Sequence, residues 1–174
     1  MHVAVTAVGV DRPGIVAAVT KVLFSFGANI EDSRMAILGG HFAMVLIVAT
    51  PEGGDPAALE AALAEPATRL DLMVTVRPVA EAAHATPGGN PFVVSVYGAD
   101  HPGIVARVSE TLASENVNIQ DLATHVIEGD PPVYVMLLEV EIPGDAARVE
   151  AALARVGAEV GVDVSMRPIE AETL

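Results

Sequence analysis

GVDRPGIVAAVTKVLFSFGANI, residues Gly9 to Ile30, returns later in the chain as GADHPGIVARVSETLASENVNI, residues Gly98 to Ile119. Both copies keep Gly-x-Asp-x-Pro-Gly-Ile-Val at the front and Asn-Ile at the back. Further along, HFAMVLIVAT corresponds to VYVMLLEVEI, and VTVRPV corresponds to VSMRPI. Self-similarity on this scale is typical of one structural unit used twice. We therefore predict two domains of the same fold.

The segment between the two copies, AEAAHATPGGNP, is rich in proline, glycine and small residues. This composition is typical of a linker. We predict a first domain over residues 1–80, a linker over residues 81–90 and a second domain over residues 91–174.

Each copy is predicted to fold as strand, helix, two strands, helix and strand. The β-branched runs HVAVTAVG and FVVSVYG end at a glycine, as strands that enter a turn do. After each run, apolar residues recur at the spacing of one helical face. The order βαββαβ is that of the ferredoxin-like unit, in which two helices cover one face of a four-stranded antiparallel sheet. The predicted fold class is α+β, with two such domains in tandem.

Residue types also predict the ends of the first helix in each copy. Pro13 and Pro102 are expected at the first helical position, where a missing N–H costs nothing. Asp11 is expected to cap the free N–H groups at that end. Gly27 and Asn116 are expected just after the helix, in the left-handed conformation that ends many helices.

The composition argues against several classes of function. The chain of 174 residues has a formal net charge of −14 and a single lysine, Lys21. Binding to nucleic acid needs a cluster of cations, so no direct nucleic-acid partner is expected. The chain has no cysteine, and its five histidines are scattered. We therefore expect no metal, no cofactor and no catalytic residues, and the protein is predicted not to be an enzyme.

The cellular location is predicted from hydropathy and from the first residues. The most apolar stretch, residues 35–50, is too short to span a bilayer. The start of the chain lacks the basic, apolar and small-residue pattern of a signal peptide. A cytoplasmic location with no membrane partner is expected.

The repeated Gly-x-Asp-x-Pro-Gly-Ile-Val motif, with Asn-Ile after the helix, resembles that of ACT domains, the regulatory modules that sense amino acids. The resemblance covers nearly the whole chain apart from the linker and the last few residues. Two ACT repeats with no catalytic domain attached resemble the glycine cleavage system transcriptional repressor group. The segment Asp-Arg-Pro-Gly-Ile-Val is also similar to part of the ACT domain of formyltetrahydrofolate deformylases. The hydrolase domain of those enzymes is not expected here.

The resemblance implies a ligand site at the strand-to-helix turn, at the junction of two ACT domains. Backbone N–H groups and the positive end of the helix suit a carboxylate. The amides of Asn29 and Asn118 can bind both ends of a zwitterion, and we expect each to face the turn of its own repeat. The predicted ligand-binding residues are Gly9, Asp11, Arg12, Gly14, Ile15, Asn29 and Ile30 in the first copy and Gly98, Asp100, His101, Gly103, Ile104, Asn118 and Ile119 in the second.

The same residues also have a purely structural interpretation, in which they build a tight turn and a helix cap. Asp11 and Asp100 stand where the serine-binding ACT pattern has an amide, so the identity of the ligand does not carry over. A carboxylate there favours the ammonium end of a ligand. Arg12 in one copy corresponds to His101 in the other, so the two sites need not be equivalent.

The leading functional hypothesis is a regulatory protein that binds an amino acid and controls a partner protein, as in the regulation of glycine cleavage or one-carbon metabolism. The expected partners are a small-molecule ligand, a regulatory protein and a second copy of the chain in a homodimer. The alternatives are a ligand-free protein-interaction adaptor and an accessory protein related to formyltetrahydrofolate deformylase.

Overall fold

A computed structural model describes residues 1–80 and 88–169. The chain forms two compact units, unit 1 over Met1–His84 and unit 2 over Ala85–Leu174. Residues 81–87 of the predicted linker lie outside the described residues, as do residues 170–174 at the end of the predicted second domain.

The predicted order of elements is confirmed in both units. Unit 1 contains β1 (His2–Val10), α1 (Ile15–Ser25), β2 (Asn29–Leu38), β3 (His41–Ala49), α2 (Pro56–Leu70) and β4 (Leu72–Val79). Unit 2 contains β5 (Asn90–Gly98), α3 (Ile104–Ser114), β6 (Asn118–Ile127), β7 (Val133–Ile142), α4 (Ala146–Val160) and β8 (Val162–Pro168).

Each unit contains one four-stranded sheet. The strand order is β2-β3-β1-β4 in unit 1 and β6-β7-β5-β8 in unit 2. Every neighbouring pair is antiparallel. The ferredoxin-like, α+β fold class predicted from the periodicity is therefore confirmed for both halves.

The core of each unit lies between one face of the sheet and the two helices. In β1, Val3, Val5 and Ala7 are fully buried, and the residues between them are partly exposed, as period-two alternation requires. In α1, Ile15, Val19 and Leu23 form the buried stripe that packs on them. Burial of each such aliphatic side chain contributes about 1.5–3 kcal/mol, so this stripe holds the start of α1 against the end of β1.

The outer strand β2 differs from the other strands of unit 1, because all of its residues are exposed. It pairs with β3 on one side and forms an edge of the sheet. Met35 and Ile37 are half exposed on this edge. Exposed apolar residues are unusual in a strand whose only role is to form the edge of a sheet.

The helix ends were predicted in part. Gly27 has a φ of 74° and Asn116 a φ of 58°, which confirms the left-handed residue after each helix. The placement of Pro13 and Pro102 at the first helical position is wrong. A glycine follows each proline, and the helix begins after that glycine, at Ile15 in unit 1.

No helix in the described parts of the chain is both long enough and apolar enough to cross a membrane.

Candidate functional site

The motif turn, which we define as Gly9–Gly14 in unit 1 and Gly98–Gly103 in unit 2, needs glycine at both ends. At Gly9 a Cβ atom would lie 2.6 Å from the carbonyl oxygen of Asp71, and at Gly98 it would lie 2.7 Å from a methyl group of Val162. The first glycine therefore allows β1 or β5 to approach its neighbouring strand closely. Gly14 and Gly103 instead have φ values of 96° and 103°, which other residues adopt at a cost.

The two helices that follow a motif turn begin without a side-chain cap. Among the described residues, no side chain accepts a hydrogen bond from the first turn of α1 or α3. By contrast, Asp55 accepts a hydrogen bond from the N–H of Ala57 at 2.9 Å to cap α2, and Asp145 caps α4 in the same way. The expectation that Asp11 caps α1 is therefore wrong.

The missing cap leaves backbone donors at the start of α1. The first N–H bonded within the helix is that of Ala18, which donates to the carbonyl oxygen of Gly14 at 2.9 Å. The N–H groups of Ile15, Val16 and Ala17 precede it and have no acceptor inside a helix. They lie at the positive end of the helix dipole, where an anion is favoured.

A cavity of about 510 Å³ lies at this end of α1. It is lined by Asp11, Arg12, Pro13, Gly14, Ile15, Val16, Ala17, Met35 and Phe42. The structure thus brings together four of the residues predicted for the site in unit 1, namely Asp11, Arg12, Gly14 and Ile15. Gly9 pairs with Phe42, a residue of the cavity wall, across β1 and β3.

Asn29 and Ile30 lie at the other end of the sheet. Asn29 pairs with Ala49, and Ala49 pairs with His2 at the start of β1. The motif turn follows the end of β1, roughly 25 Å away at about 3.3 Å per strand residue. In unit 2, Asn118 likewise pairs with Glu141 at the far end of β7.

The expectation that each asparagine faces the turn of its own repeat is therefore wrong. The reason is topological, because the helix carries the chain back along the full length of β1 before the next strand begins. Asn29 and Asn118 are exposed where these strands start.

Met35 and Phe42 were not predicted as site residues. They come from β2 and β3, next to the hairpin that joins the two strands. The backbone N–H of Asp11 donates to the carbonyl oxygen of Gly40 in that hairpin at 2.9 Å. The signal in the sequence was the pairing of strands, since residues near the hairpin must lie beside the end of β1.

In unit 2 the corresponding positions carry hydroxyl groups. Tyr134 pairs with Gly98, as Phe42 pairs with Gly9. The pKa of Tyr134 is raised from its ordinary value of 10.0, mainly by burial and further by the negative charge of Asp100, while a hydrogen bond with the Thr124 side chain opposes the rise. The motif residue Asp100 therefore lies close enough to act on Tyr134.

The second residue of the turn also differs between the units. The ring nitrogen Nε2 of His101 lies 2.7 Å from the carbonyl oxygen of Val160 at the end of α4, and Nδ1 lies 3.1 Å from the carbonyl oxygen of Pro102. His101 is thus engaged with the end of a helix, whereas Arg12 is exposed at the cavity of unit 1. Within the described residues, no three His, Asp or Glu side chains are grouped closely enough to hold a metal ion.

Comparison with known proteins places these features in a family. The sequence pattern of the ACT domain matches residues 1–77 and 90–167. The glycine cleavage system transcriptional repressor of Escherichia coli is 31% identical over 123 residues, which cover 71% of this chain and 64% of that protein. The match thus spans less than two thirds of the length of this curated relative.

Two further matches differ in how much of the chain they cover. A UPF0237 protein of Methanopyrus kandleri is 42% identical over 73 residues, covering 41% of this chain and 80% of that protein. The crystal structure of an unknown protein from Galdieria sulphuraria superposes with a TM-score of 0.81 at 30% identity, covering 97% of this chain and 98% of that one.

Proposed function

Because this chain belongs to the ACT domain family and carries two copies of the domain, we propose that it is a non-catalytic regulatory protein that binds an amino acid at its motif turns and controls a partner protein. The observation that carries the proposal is the uncapped start of α1 beside a cavity. In residues 1–80 and 88–169, α2 and α4 are capped by aspartates, and the cap is missing only from the helices that follow the motif.

The α-carboxylate of the ligand takes the place of the missing cap. It accepts hydrogen bonds from the N–H groups at the start of α1, where the helix dipole favours a negative charge. The carboxylate of Asp11 lines the same cavity and attracts the α-ammonium group. A zwitterion therefore matches the charges of the turn at both of its ends.

Asn29 and Asn118 contact a ligand that is bound at the motif turn of a second ACT unit, not at the turn of their own unit. Each lies too far from the turn of its own unit to share a ligand with it. An exposed edge strand such as β2 offers unpaired backbone groups to a neighbouring strand. We therefore place the ligand at an interface between ACT units and expect the chain to form a homodimer.

The proposal of a protein partner rests on the name of a similar protein and on the net charge of this chain. The Escherichia coli relative is named as a transcriptional repressor of the glycine cleavage system. With a net charge of −14, this chain lacks the means to bind DNA by itself. We propose that it acts on a regulatory protein and that the bound amino acid changes its affinity for that protein.

A thermal-shift screen of the full chain against the twenty amino acids tests the proposal. A ligand at 100 times its dissociation constant adds about 2.7 kcal/mol to the free energy of unfolding. If no amino acid changes the unfolding temperature, the ligand-free adaptor replaces this function.

A charge placed in the first turn of α1 tests the site itself. Ala17 is exposed and lines the cavity. Ala17→Glu should raise the free energy of unfolding by about 0.3–1 kcal/mol, because the helix dipole favours it, and should weaken amino-acid binding, because it repels the carboxylate. Ala17→Lys should lower the free energy of unfolding and strengthen amino-acid binding, because the signs of both electrostatic effects are reversed. Ala61→Glu, on the exposed side of α2, is the matched control.

A further inference from the structure

The two motif turns face different pairs of side chains. Met35 and Thr124 occupy equivalent positions in β2 and β6, since Met35 pairs with Met44 and Thr124 pairs with Met136 in the next strand. Phe42 and Tyr134 are equivalent in the same way, because each pairs with the glycine that opens its motif turn. Both differences replace an apolar side chain of unit 1 with a hydroxyl-bearing one in unit 2.

In unit 1 the cavity wall opposite the turn is apolar. Phe42 is 2% exposed, and Met35 is half exposed beside it. Neither side chain offers a strong hydrogen-bond donor or acceptor, so a polar ligand side chain placed against them would lose its bonds to water without replacement. An aliphatic ligand side chain loses nothing there and gains contact area.

In unit 2 the two equivalent positions are polar. Thr124 and Tyr134 lie on the paired strands β6 and β7, and each carries a hydroxyl group where unit 1 has an apolar side chain. A neutral polar side chain can exchange hydrogen bonds with this pair. An acidic ligand side chain is repelled by Asp100, and an aliphatic one leaves the hydroxyl groups short of partners.

Given that the motif turns bind amino acids as proposed above, we infer that the two units select different side chains. The site of unit 1 takes an amino acid with an apolar side chain, and Met35 and Phe42 determine this preference. The site of unit 2 takes an amino acid with a neutral, hydrogen-bonding side chain, and Thr124 and Tyr134 determine it. The protein thus responds to two ligands rather than to one ligand twice.

L-Leucine and L-asparagine are the probes, because they have the same branching and the same number of non-hydrogen atoms but differ in polarity. Both are titrated into the full chain by calorimetry and by NMR of the methionine methyl groups. The methyl signal of Met35 reports on unit 1 and is identified by its loss in Met35→Thr. Leucine should shift this signal with at least about tenfold higher affinity than asparagine, a difference of about 1.4 kcal/mol.

Exchange of equivalent residues provides the matched variants. Met35→Thr changes an exposed edge position and should remove most of the leucine preference of unit 1, which is read here by calorimetry because the variant lacks the reporting methyl group. Thr124→Met should give unit 2 a preference for leucine, and its new methyl group reports on that site. Phe42→Tyr and Tyr134→Phe test the second wall position, with urea denaturation to confirm that each variant folds.

The outcomes separate this inference from the function on which it rests. Equal affinities for leucine and asparagine at the Met35 methyl signal of the wild type, or ratios that the exchanges leave unchanged, overturn the selectivity and leave amino-acid binding intact. If none of the twenty amino acids binds, both the proposed function and the selectivity are wrong. Opposite preferences in the two units that exchange with the side chains support the inference.

Discussion

The backbone N–H of Asp11 donates to the carbonyl oxygen of Gly40 at 2.9 Å, which ties the motif turn to the hairpin between β2 and β3. The side chain of Asp11 does not cap α1. The backbone of this residue therefore fixes the position of the turn, and its carboxylate lines the cavity instead of capping the helix.

The capping aspartates should differ from the motif aspartates in their effect on stability. Asp55→Ala and Asp145→Ala should each lower the free energy of unfolding by about 0.5–2 kcal/mol, because each removes a hydrogen bond to the first turn of a helix. Asp11→Ala and Asp100→Ala should change it by less than about 0.5 kcal/mol. Urea denaturation of the four variants checks this contrast, and equal losses would restore a capping role to the motif aspartates.

The second glycine of the motif turn should resist substitution for reasons of backbone conformation alone. A Cβ atom at Gly14 or Gly103 would meet nothing within 4 Å, but the positive φ strains any other residue. Gly14→Ala and Gly103→Ala should each cost about 1 kcal/mol. Gly144, which is also open but has no positive φ, is the matched control, and Gly144→Ala should be close to neutral. Thermal unfolding of the three variants measures the difference.

Asn118 and Asn116 lie close together in sequence but should respond differently to alanine. Asn118→Ala, like Asn29→Ala, should weaken amino-acid binding by about 1–3 kcal/mol if the asparagine contacts the ligand at an interface with a second ACT unit, as proposed above. Stability should change little, since both side chains are exposed. Asn116→Ala should instead lower stability without affecting binding, because Asn116 adopts a positive φ. Calorimetry and denaturation together separate the two roles, and unchanged affinity in Asn29→Ala and Asn118→Ala would remove these asparagines from the site.

The stability of unit 2 should fall at high pH through Tyr134. Burial and the nearby Asp100 raise the pKa of Tyr134 above its ordinary value of 10.0. The folded state therefore holds this proton more tightly than the unfolded state does. The resulting stabilisation is complete below pH 10 and is lost as the pH rises through the pKa of the folded protein.

Tyr134→Phe should flatten the fall in unfolding free energy above pH 10. The exposed Tyr97→Phe is the control, because it removes a phenol outside this environment. Urea denaturation at a series of pH values checks the prediction, and an unchanged slope in Tyr134→Phe would contradict it.

The protein alone should not bind DNA. Its net charge of −14 repels the phosphate backbone, and its nine Lys and Arg residues are outnumbered by 23 acidic ones, so little counterion release is expected. A mobility-shift assay with short duplexes at physiological ionic strength should show no complex. A complex that weakens steeply with added salt would contradict control through a protein partner.

The fold could be predicted because each helix and strand shows in a short local pattern and because the two copies repeat the same patterns. Period-two and helical spacing in each copy gave the same order of elements, and Gly27 and Asn116 marked equivalent helix ends. The position of Asn29 was predicted wrongly because a motif records order along the chain, while the sheet register decides which residues meet.

The walls of the cavity were missed for the same reason. Met35 and Phe42 come from strands after the motif and carry no distinctive pattern of their own. Their role follows only from the pairing of Gly9 with Phe42. The differences at Thr124 and Tyr134 are visible once the two copies are aligned, but only the register shows that they face the turn.

Helix α1 begins without a side-chain cap, unlike α2 and α4. Its first turn follows Gly14 and has no side-chain cap, so we expect it to fray more easily than the first turn of α2, which Asp55 caps. A ligand that supplies the missing acceptor therefore also completes the folding of that turn. Part of the binding free energy of the proposed ligand would then order this backbone, and slower amide hydrogen exchange at Ile15, Val16 and Ala17 would report that it has bound.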